Sequence, residues 1–187
     1  MKLHIGCGKR YLDGFMHIDI QYYPHVNYVC DARNLTMINN DSVDLIYASH
    51  ILEHFHYTEA PDVLKEWCRV LKPETGILRL AVPDFDAILS VYAKYKDLNM
   101  IMGLIYGTRS NPNNSCHTHI YNLSTLACVL EECGFSDIHL WNWRECLPKE
   151  FDDYSKAYIP HMDFDNGLSV SLNVEGTKLK QVHTTDI

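Results

Sequence analysis

The sequence lacks the features that mark several large classes of protein. No apolar run approaches the roughly 18 residues that a membrane-spanning helix needs, and residues 1–6 show neither the apolar run nor the cleavage pattern of a signal peptide. No cluster of lysine and arginine is present, and 16 basic against 24 acidic residues give a net charge of −8. Because nucleic-acid binding needs basic side chains at the phosphates, we expect no nucleic-acid partner.

The cysteines and histidines show no paired spacing of the kind that structural metal sites use. The seven cysteines form no CxxC pair and are odd in number, so the simplest interpretation is a cytoplasmic protein with reduced thiols. Cys116, His117 and His119 lie close together, but structural zinc needs four ligands at paired spacings and no second pair is evident. We therefore expect no metal site.

What is present is typical of a globular chain of one domain. The 187 residues are 47% hydrophobic and 21% charged, which is enough to bury one sizeable core. We predict a single domain over residues 1–180 and a C-terminal tail over 181–187. The sequence does not indicate an oligomeric state.

Short apolar runs alternate with helical patterns along the chain, which predicts an α/β fold with a mostly parallel sheet. The last two strands are joined without a strong helix, so we predict that the seventh strand is antiparallel. The predicted strands cover residues 3–5, 15–20, 26–29, 43–48, 77–82, 138–141 and 168–174, and the predicted helices cover 57–71, with Thr58 as N-cap, 84–100 and 124–133.

Glycine or polar residues follow the first four predicted strands. Gly6 and Gly8 follow the first strand, Asp19 ends the second, Asp31 follows the third and His50 follows the fourth. Glycine lets backbone N–H groups approach a ligand closely, and an acid after the second strand is placed to bind a ribose diol. Because ligands of open α/β sheets bind beyond the carboxyl ends of the strands, these residues predict a nucleotide-type site.

A dinucleotide is one alternative ligand, and it would make the protein an NAD(P) oxidoreductase. Tyr11 stands where the dinucleotide motif has its third glycine. The short segment between Gly8 and Asp19 also leaves little room for a helix whose N-terminus would hold a pyrophosphate. A ligand without a pyrophosphate fits better.

Five segments, in this order, resemble the signature of class I S-adenosylmethionine-dependent methyltransferases. The resemblance is closest to a compact bacterial and viral branch of predicted methyltransferases, and it extends from Leu3 to about Val174. It implies a Rossmann-like three-layer sandwich with seven strands. The segments are residues 5–8 (IGCG), 14–19 (GFMHID), 31–35 (DARNL), 42–54 (SVDLIYASHILEH) and 69–76 (RVLKPETG).

The resemblance implies that S-adenosyl-L-methionine is the cofactor. It places the glycine turn against the methionine part, Asp19 at the ribose hydroxyls, and Asp31 with the Ala32 N–H at the adenine. Ser49 and His50 would flank the sulfonium and amino-acid end. The full set of implied cofactor-binding residues is Gly6, Cys7, Gly8, Asp19, Ile20, Asp31, Ala32, Ser49 and His50.

The catalytic and substrate-binding predictions rest on fewer signals. An oxygen acceptor would benefit from a base, and the candidates are His50, His117 and His119, because imidazole titrates near neutral pH. His54 shares a helical face with His50. Asp84 stands beside the expected transfer point, and Tyr154 lies in the connection 144–166, which we interpret as a substrate wall or lid. We therefore predict that His54, Asp84 and Tyr154 contact the substrate.

Two functions are consistent with these residues, and we predict the first. The first is a methyltransferase acting on a small molecule or glycan-type acceptor, since the branch often accompanies surface-polysaccharide genes. The second is a non-catalytic module that binds S-adenosylmethionine or S-adenosylhomocysteine. Intact Gly6, Gly8, Asp19 and Asp31 are consistent with both.

Overall fold

The computed structural model describes residues 1–107 and 116–180. The predicted tail over 181–187 lies outside the described residues, and so do residues 108–115. None of the described helices is both long enough and apolar enough to cross a bilayer.

A seven-stranded sheet forms the centre of the fold, in the order β3-β2-β1-β4-β5-β9-β6. The neighbouring strands from β3 to β5 are parallel, and β9 is antiparallel to both β5 and β6. This confirms the Rossmann-like α/β fold and the antiparallel last strand. The strands are β1 Lys2–Ile5, β2 Met16–Asp19, β3 Tyr28–Val29, β4 Leu45–Ser49, β5 Ile77–Pro83, β6 Phe135–Leu140, β7 Tyr158–Ile159, β8 Leu168–Ser169 and β9 Ser171–Lys178.

The helices lie mostly after β4. They are a 3-10 turn Leu52–His54, α1 Ala60–Val70, α2 Phe85–Tyr95, α3 Asn99–Tyr106, α4 Leu123–Glu132, α5 Trp143–Cys146 and a second 3-10 turn Tyr154–Lys156. Between β1 and β4 the chain forms turns instead of helices. The glycine turn is therefore followed by no helix, as the short first connection predicts.

The core is divided by the sheet because side chains of a strand alternate between its faces. Leu3 and Ile5 belong to the large cluster that contains Trp67 of α1. On the other face, Tyr47 packs with Phe151, which comes from the connection after β6. One face of the sheet is thus covered by helices and the other partly by the connecting segments that border the site.

Helix α1 fixes the loop that follows β3. Its apolar face is buried, and the Trp67 indole N–H donates a hydrogen bond to the Ala32 carbonyl at 2.9 Å. The prediction that Thr58 caps this helix is wrong. Glu59 is the N-cap, and the Thr58 hydroxyl pairs instead with His56 Nδ1 at 2.8 Å.

Two predicted elements are each divided in two. The helix predicted over 84–100 ends at Tyr95, because Lys96 adopts the left-handed conformation with φ 55°, and α3 follows separately. The strand predicted over 168–174 is interrupted at Val170, whose N–H bonds to the Ala157 carbonyl outside the main sheet at 2.9 Å. The β8 part pairs with β7, while β9 continues to Lys178.

The sixth strand begins earlier than the predicted Ile138. It starts at Phe135, and its register with β9 shifts between Ser136 and His139. Asp137 in this bulge has φ 51°. A bulge breaks the period-2 alternation from which a strand is recognised in a sequence, and this explains the late predicted start.

Candidate functional site

The carboxyl ends of β1 to β4 meet at one edge of the sheet, and a crevice of about 350 Å³ opens there. The crevice brings together most of the residues that the sequence assigns to the cofactor. Those that line it are Gly6, Asp19, Ile20, Asp31, Ala32 and His50, joined by Ile5, Ile18, Gln21, Cys30, Arg33, Ile51, His54, Phe55 and Glu59.

The turn after β1 requires glycine at two positions. Gly6 has φ +67° and Gly8 has φ +55°, in the region that side chains with a Cβ rarely adopt. A Cβ on Gly6 would meet Cδ1 of Ile51 at 2.1 Å, whereas a Cβ on Gly8 would meet nothing within 4 Å. The open space beside Gly8 allows a ligand to approach the backbone closely.

Asp19 ends β2 beside this turn and is 8% exposed. Its Oδ2 accepts a hydrogen bond from the Gly8 N–H at 2.7 Å, and its Oδ1 accepts one from the Gln21 N–H at 2.8 Å. A carboxylate has about four acceptor positions. Asp19 is therefore held in place and retains acceptor capacity for the two hydroxyls of a ribose.

Asp31 lies in the same crevice, after β3. Arg33 donates to its carboxylate, with Nη2 to Oδ2 at 2.7 Å, and a second carboxylate, Glu59, lies 3.4 Å from Arg33 Nη1. The Arg33 hydrogen bonds hold the pKa of Asp31 below its ordinary value, in spite of partial burial. The crevice thus presents a charged acceptor after each of two neighbouring strands.

His50 follows β4 in an unusual backbone conformation, with φ 54°, which is uncommon for a residue with a Cβ and often marks functional sites. The His50 N–H bonds to the Ala81 carbonyl at 2.8 Å. Its Nδ1 lies 3.2 Å from Oε1 of Glu53, and its Nε2 lies 3.2 Å from the Ser171 hydroxyl. Both ring nitrogens therefore face groups of the protein.

A larger cavity of about 1040 Å³ adjoins the crevice, and His50 and His54 line both. Tyr154 lies in its wall with the Arg10 guanidinium 4.9 Å above the ring centroid. The connection after β6 supplies this part of the wall. The cavity is lined by Gly8, Lys9, Arg10, Tyr23, His50, His54, Pro83, Asn99, Met100, Gly103, Leu104, Gly107, His117, Asp152, Tyr154, Ala157 and Ile159.

His54 and His117 lie together at the border of the two cavities, with ring centroids 5.1 Å apart. Nδ1 of His54 is 3.1 Å from the Cys116 carbonyl oxygen, and Nδ1 of His117 is 2.9 Å from that of Leu104. Burial lowers the pKa of His117, although the Glu53 carboxylate opposes the shift. His117 is thus a neutral imidazole facing the larger cavity near pH 7.

Four predicted site residues line neither cavity. Cys7 is 1% exposed with its Sγ 3.8 Å from His25 Nε2, and burial raises its pKa to about 12. Ser49 Oγ is buried without a hydrogen-bond partner in the described chain. Asp84 caps α2 by accepting from the Asp86 and Ala87 N–H groups. The His119 ring packs on Tyr121 at 4.4 Å.

Asp84 therefore has a structural explanation. Its side chain borders a separate cavity of about 330 Å³ that also contains Trp141, and burial raises the pKa of its carboxyl. Helix capping by an aspartate needs no substrate, so the position of Asp84 does not support the predicted substrate contact.

Glu53 is the central residue that the sequence analysis omitted. It is fully buried, and its Oε1 lies 3.2 Å from Nδ1 of His50 and 3.9 Å from Nε2 of His117. Its only signal in the sequence is a glutamate between His50 and His54, directly after a buried strand. The structure makes that position distinctive because a charged side chain is rarely fully buried without a partner.

Comparison with known proteins agrees with this geometry. Residues 3–80 match the family described as "Methyltransferase domain". The matched residues thus resemble a methyltransferase domain over β1 to β5, the part of the chain that forms the crevice. S-adenosylmethionine is the cofactor that this domain implies, and the crevice fits it: Gly6 and the two acids Asp19 and Asp31 line it at the carboxyl ends of three neighbouring strands. No curated protein matches the sequence.

Solved structures of methyltransferases share the fold at low sequence identity. A S-adenosylmethionine-dependent methyltransferase of Archaeoglobus fulgidus is 16% identical, with 95% of this chain and 85% of that chain covered and a TM-score of 0.57. One of Methanosarcina mazei is 15% identical, with 96% and 92% covered and a TM-score of 0.54. A chain from the complex of a Haloferax volcanii methyltransferase activator with a methyltransferase is 13% identical, with 97% and 83% covered and a TM-score of 0.56.

Proposed function

We propose that this protein transfers a methyl group to a small-molecule or glycan-type acceptor. The observation that carries the proposal is the junction of the two cavities: His50 and His54 line both the crevice that fits the cofactor and the larger space beside it. A methyl donor bound in the crevice would thus have open access to an acceptor bound in the larger cavity.

We infer from the residues of the crevice where each part of the cofactor would bind. Asp19 accepts hydrogen bonds from the ribose hydroxyls, and Asp31 accepts a hydrogen bond from the adenine amino group. The glycine turn leaves room for the methionine part, because the space beside Gly8 is open toward the larger cavity. When bound, the cofactor supplies an electrophilic methyl carbon on a sulfonium.

The larger cavity suits an acceptor with a ring and several polar groups. Tyr154 offers an aromatic face under the Arg10 guanidinium, and Met100 and Leu104 add apolar surface. Binding sites for small molecules are mostly apolar, with a few polar groups that fix the orientation of the ligand. A sugar, with one apolar ring face and a rim of hydroxyls, matches this combination.

The three histidines proposed as bases differ in their surroundings. Both nitrogens of His50 face protein groups, which suits a residue that orients its neighbours, and His119 lines neither cavity. His117 lines the acceptor cavity with its Nε2 unprotonated. In transfer to a hydroxyl, the acceptor oxygen forms the bond to the methyl carbon as the carbon–sulfur bond breaks, and His117 Nε2 receives the hydroxyl proton.

The alternatives are weaker on the same observations. A non-catalytic module needs the crevice but not the adjoining cavity of about 1040 Å³. An NAD(P) oxidoreductase needs a site for a pyrophosphate, and no helix begins after the glycine turn within residues 6–15. Both observations favour a methyltransferase.

Calorimetry followed by an activity assay tests the proposal. The protein is titrated with S-adenosylhomocysteine and, separately, with NAD⁺. It is then incubated with S-adenosylmethionine and a panel of sugars, phenols and amines, and methylated products are measured by mass spectrometry. We expect binding of S-adenosylhomocysteine only, and product from a hydroxyl-bearing acceptor. Binding of NAD⁺ alone would contradict the proposal, and methylation of amines alone would contradict the role of His117.

A further inference from the structure

Glu53 is a buried carboxylate that has no role in the methyl transfer proposed above. It is 0% exposed, and neither of its side-chain oxygens has a hydrogen-bond partner among the described residues. Burial of a charge without a partner is strongly unfavourable, and such groups in proteins are usually paired or bind a cation. The buried position of Glu53 therefore needs a compensating positive charge.

Two imidazoles lie within 4 Å of Glu53. Nδ1 of His50 lies 3.2 Å and Nε2 of His117 lies 3.9 Å from Oε1 of Glu53. The Glu53 carboxylate thus faces two histidine rings, of which His50 is the nearer.

The rings of His54 and His117 are fixed in the tautomer that binds metals. Nδ1 of His54 is hydrogen-bonded to the Cys116 carbonyl, and Nδ1 of His117 to the Leu104 carbonyl. A carbonyl oxygen can only accept, so each Nδ1 carries the proton and each Nε2 presents a lone pair. Histidine ligands of metals in proteins are oriented in this way, by a hydrogen bond from the other ring nitrogen to an acceptor.

The three groups converge closely enough to share one ion. One ligand atom from each of Glu53, His54 and His117 lies within 4.8 Å of the other two. Ligands at zinc bond lengths of about 2.0–2.1 Å in a tetrahedral site lie about 3.4 Å apart. Small rotations of the side chains close the difference from the 3.9 Å between His117 Nε2 and Glu53 Oε1.

We propose that Glu53, His54 and His117 bind a divalent transition-metal ion at the border of the two cavities. Two histidines and one carboxylate are a ligand set that zinc and neighbouring metals use in catalytic sites, where a fourth position stays open. His54 and His117 both line the larger cavity, so the open position faces the space assigned to the acceptor.

The sequence-based expectation of no metal considered only ligands close together in the chain. The structure gathers this set from two distant places, the 3-10 turn Leu52–His54 and the segment after residue 115. Backbone hydrogen bonds join the two: the N–H groups of Thr118 and His119 both donate to the Glu53 carbonyl, at 2.9 and 3.2 Å. Spacing in the sequence therefore contains no signal for the site.

The role of this ion in methyl transfer rests on the proposed function. A metal ion at this position would bind the acceptor oxygen and lower its pKa, as metals do for bound water. Because His117 cannot hold the ion and act as a free base through the same nitrogen, the bound ion would take the place of the His117 base in transfer to a hydroxyl. If the reaction uses the metal ion, a chelator should abolish methyl transfer to a hydroxyl. If His117 is instead a free base, a chelator should leave the rate of transfer unchanged.

Cobalt titration of the whole chain tests the site directly. The protein is stripped with a chelator and titrated with Co²⁺ while its visible absorption is recorded, and Zn²⁺ is then added. We expect one equivalent of Co²⁺ with a d–d band, displaced by Zn²⁺. No saturable binding by the folded wild-type protein would overturn the proposal.

Variants locate the bound ion. His54→Ala, His117→Ala and Glu53→Gln should each weaken Co²⁺ binding by more than about 100-fold, since even groups that only orient a ligand are worth 10–100-fold. The control His139→Ala, on the exposed side of β6, should bind as wild type. Circular dichroism confirms folding of each variant. Unchanged affinity in every folded ligand variant would show adventitious binding and overturn the proposal.

S-adenosylhomocysteine binding, measured in the same samples, separates the two proposals. Cofactor binding without metal binding contradicts only the metal site. Metal binding without cofactor binding contradicts only the proposed function.

Discussion

The Gly8 N–H donates a 2.7 Å hydrogen bond to Oδ2 of Asp19. This bond ties the turn after β1 to the end of β2, across two neighbouring parallel strands. The left-handed conformation of Gly8 directs its N–H toward the acid and leaves the other side of the residue open. Asp19 therefore shapes the glycine turn and, through its remaining acceptor positions, is available to a ribose.

Replacement of Asp19 tests this double role. Asp19→Ala should weaken binding of S-adenosylhomocysteine by about 1–3 kcal/mol, because buried donors and ribose hydroxyls lose a charged acceptor. Calorimetry measures the affinity. Asp62→Ala, whose side chain is 85% exposed on α1, is the matched control and should bind as wild type. Unchanged affinity in folded Asp19→Ala would contradict the assigned orientation of the cofactor.

Asp31 should strengthen cofactor binding by accepting a hydrogen bond from the amino group of adenine. Arg33 already pairs with its carboxylate, so Asp31→Ala should weaken S-adenosylhomocysteine binding toward the lower end of the range of about 1–3 kcal/mol. An analogue with hypoxanthine in place of adenine lacks the amino group. The wild-type protein should prefer adenine over this analogue, and the variant should not. An equal preference in both proteins would exclude the assigned contact.

Substitution of His117 should lower the rate of methyl transfer, whereas substitution of His119 should not. His117→Ala should retain affinity for S-adenosylhomocysteine and lose about 100-fold or more in kcat, whether the residue acts as a base or through a metal ion. His119→Ala should keep its rate, because that ring packs on Tyr121 outside both cavities. A similar loss of rate in both variants would indicate that the segment acts only through its structure.

His4 should make the fold sensitive to acid. Burial first, and the nearby His17 second, lower the pKa of His4 to about 3 from an ordinary 6.5. Between these values the unfolded chain binds a proton that the folded chain does not, so the free energy of unfolding falls as the pH drops below 6.5. The loss attributable to His4 is about 1.4 kcal/mol per pH unit.

Urea denaturation of the wild type and of His4→Phe measures this effect. The phenylalanine ring keeps the packing on Tyr47 and Phe151 and cannot take up a proton. The stability of the wild type relative to the variant should decrease steadily from pH 6.5 to pH 4.5. Parallel pH profiles of the two proteins would show that His4 does not titrate as its burial requires.

The sequence was informative where the signal is local. The cofactor crevice follows from four strands that each end in a glycine or polar residue, because parallel strands present their carboxyl ends at one edge. Gly6, Asp19, Ile20, Asp31, Ala32 and His50 all line that crevice. The antiparallel last strand also followed from a local feature, the lack of a strong helix before it.

The remaining features depend on contacts that are distant in the sequence. The division of the strand at Val170 depends on a bond to Ala157, and the bulge at Asp137 depends on pairing with β9. Glu53 was overlooked for the same reason, because its burial and its approach to His117 exist only after the chain has folded.

A crystal structure of the protein with S-adenosylhomocysteine is the most direct measurement. We predict the ribose at Asp19, the adenine toward Asp31 and Ala32, and the thioether sulfur beside His50, facing the larger cavity. A ligand bound outside the crevice, or lying in it with its sulfur turned away from that cavity, would contradict the account.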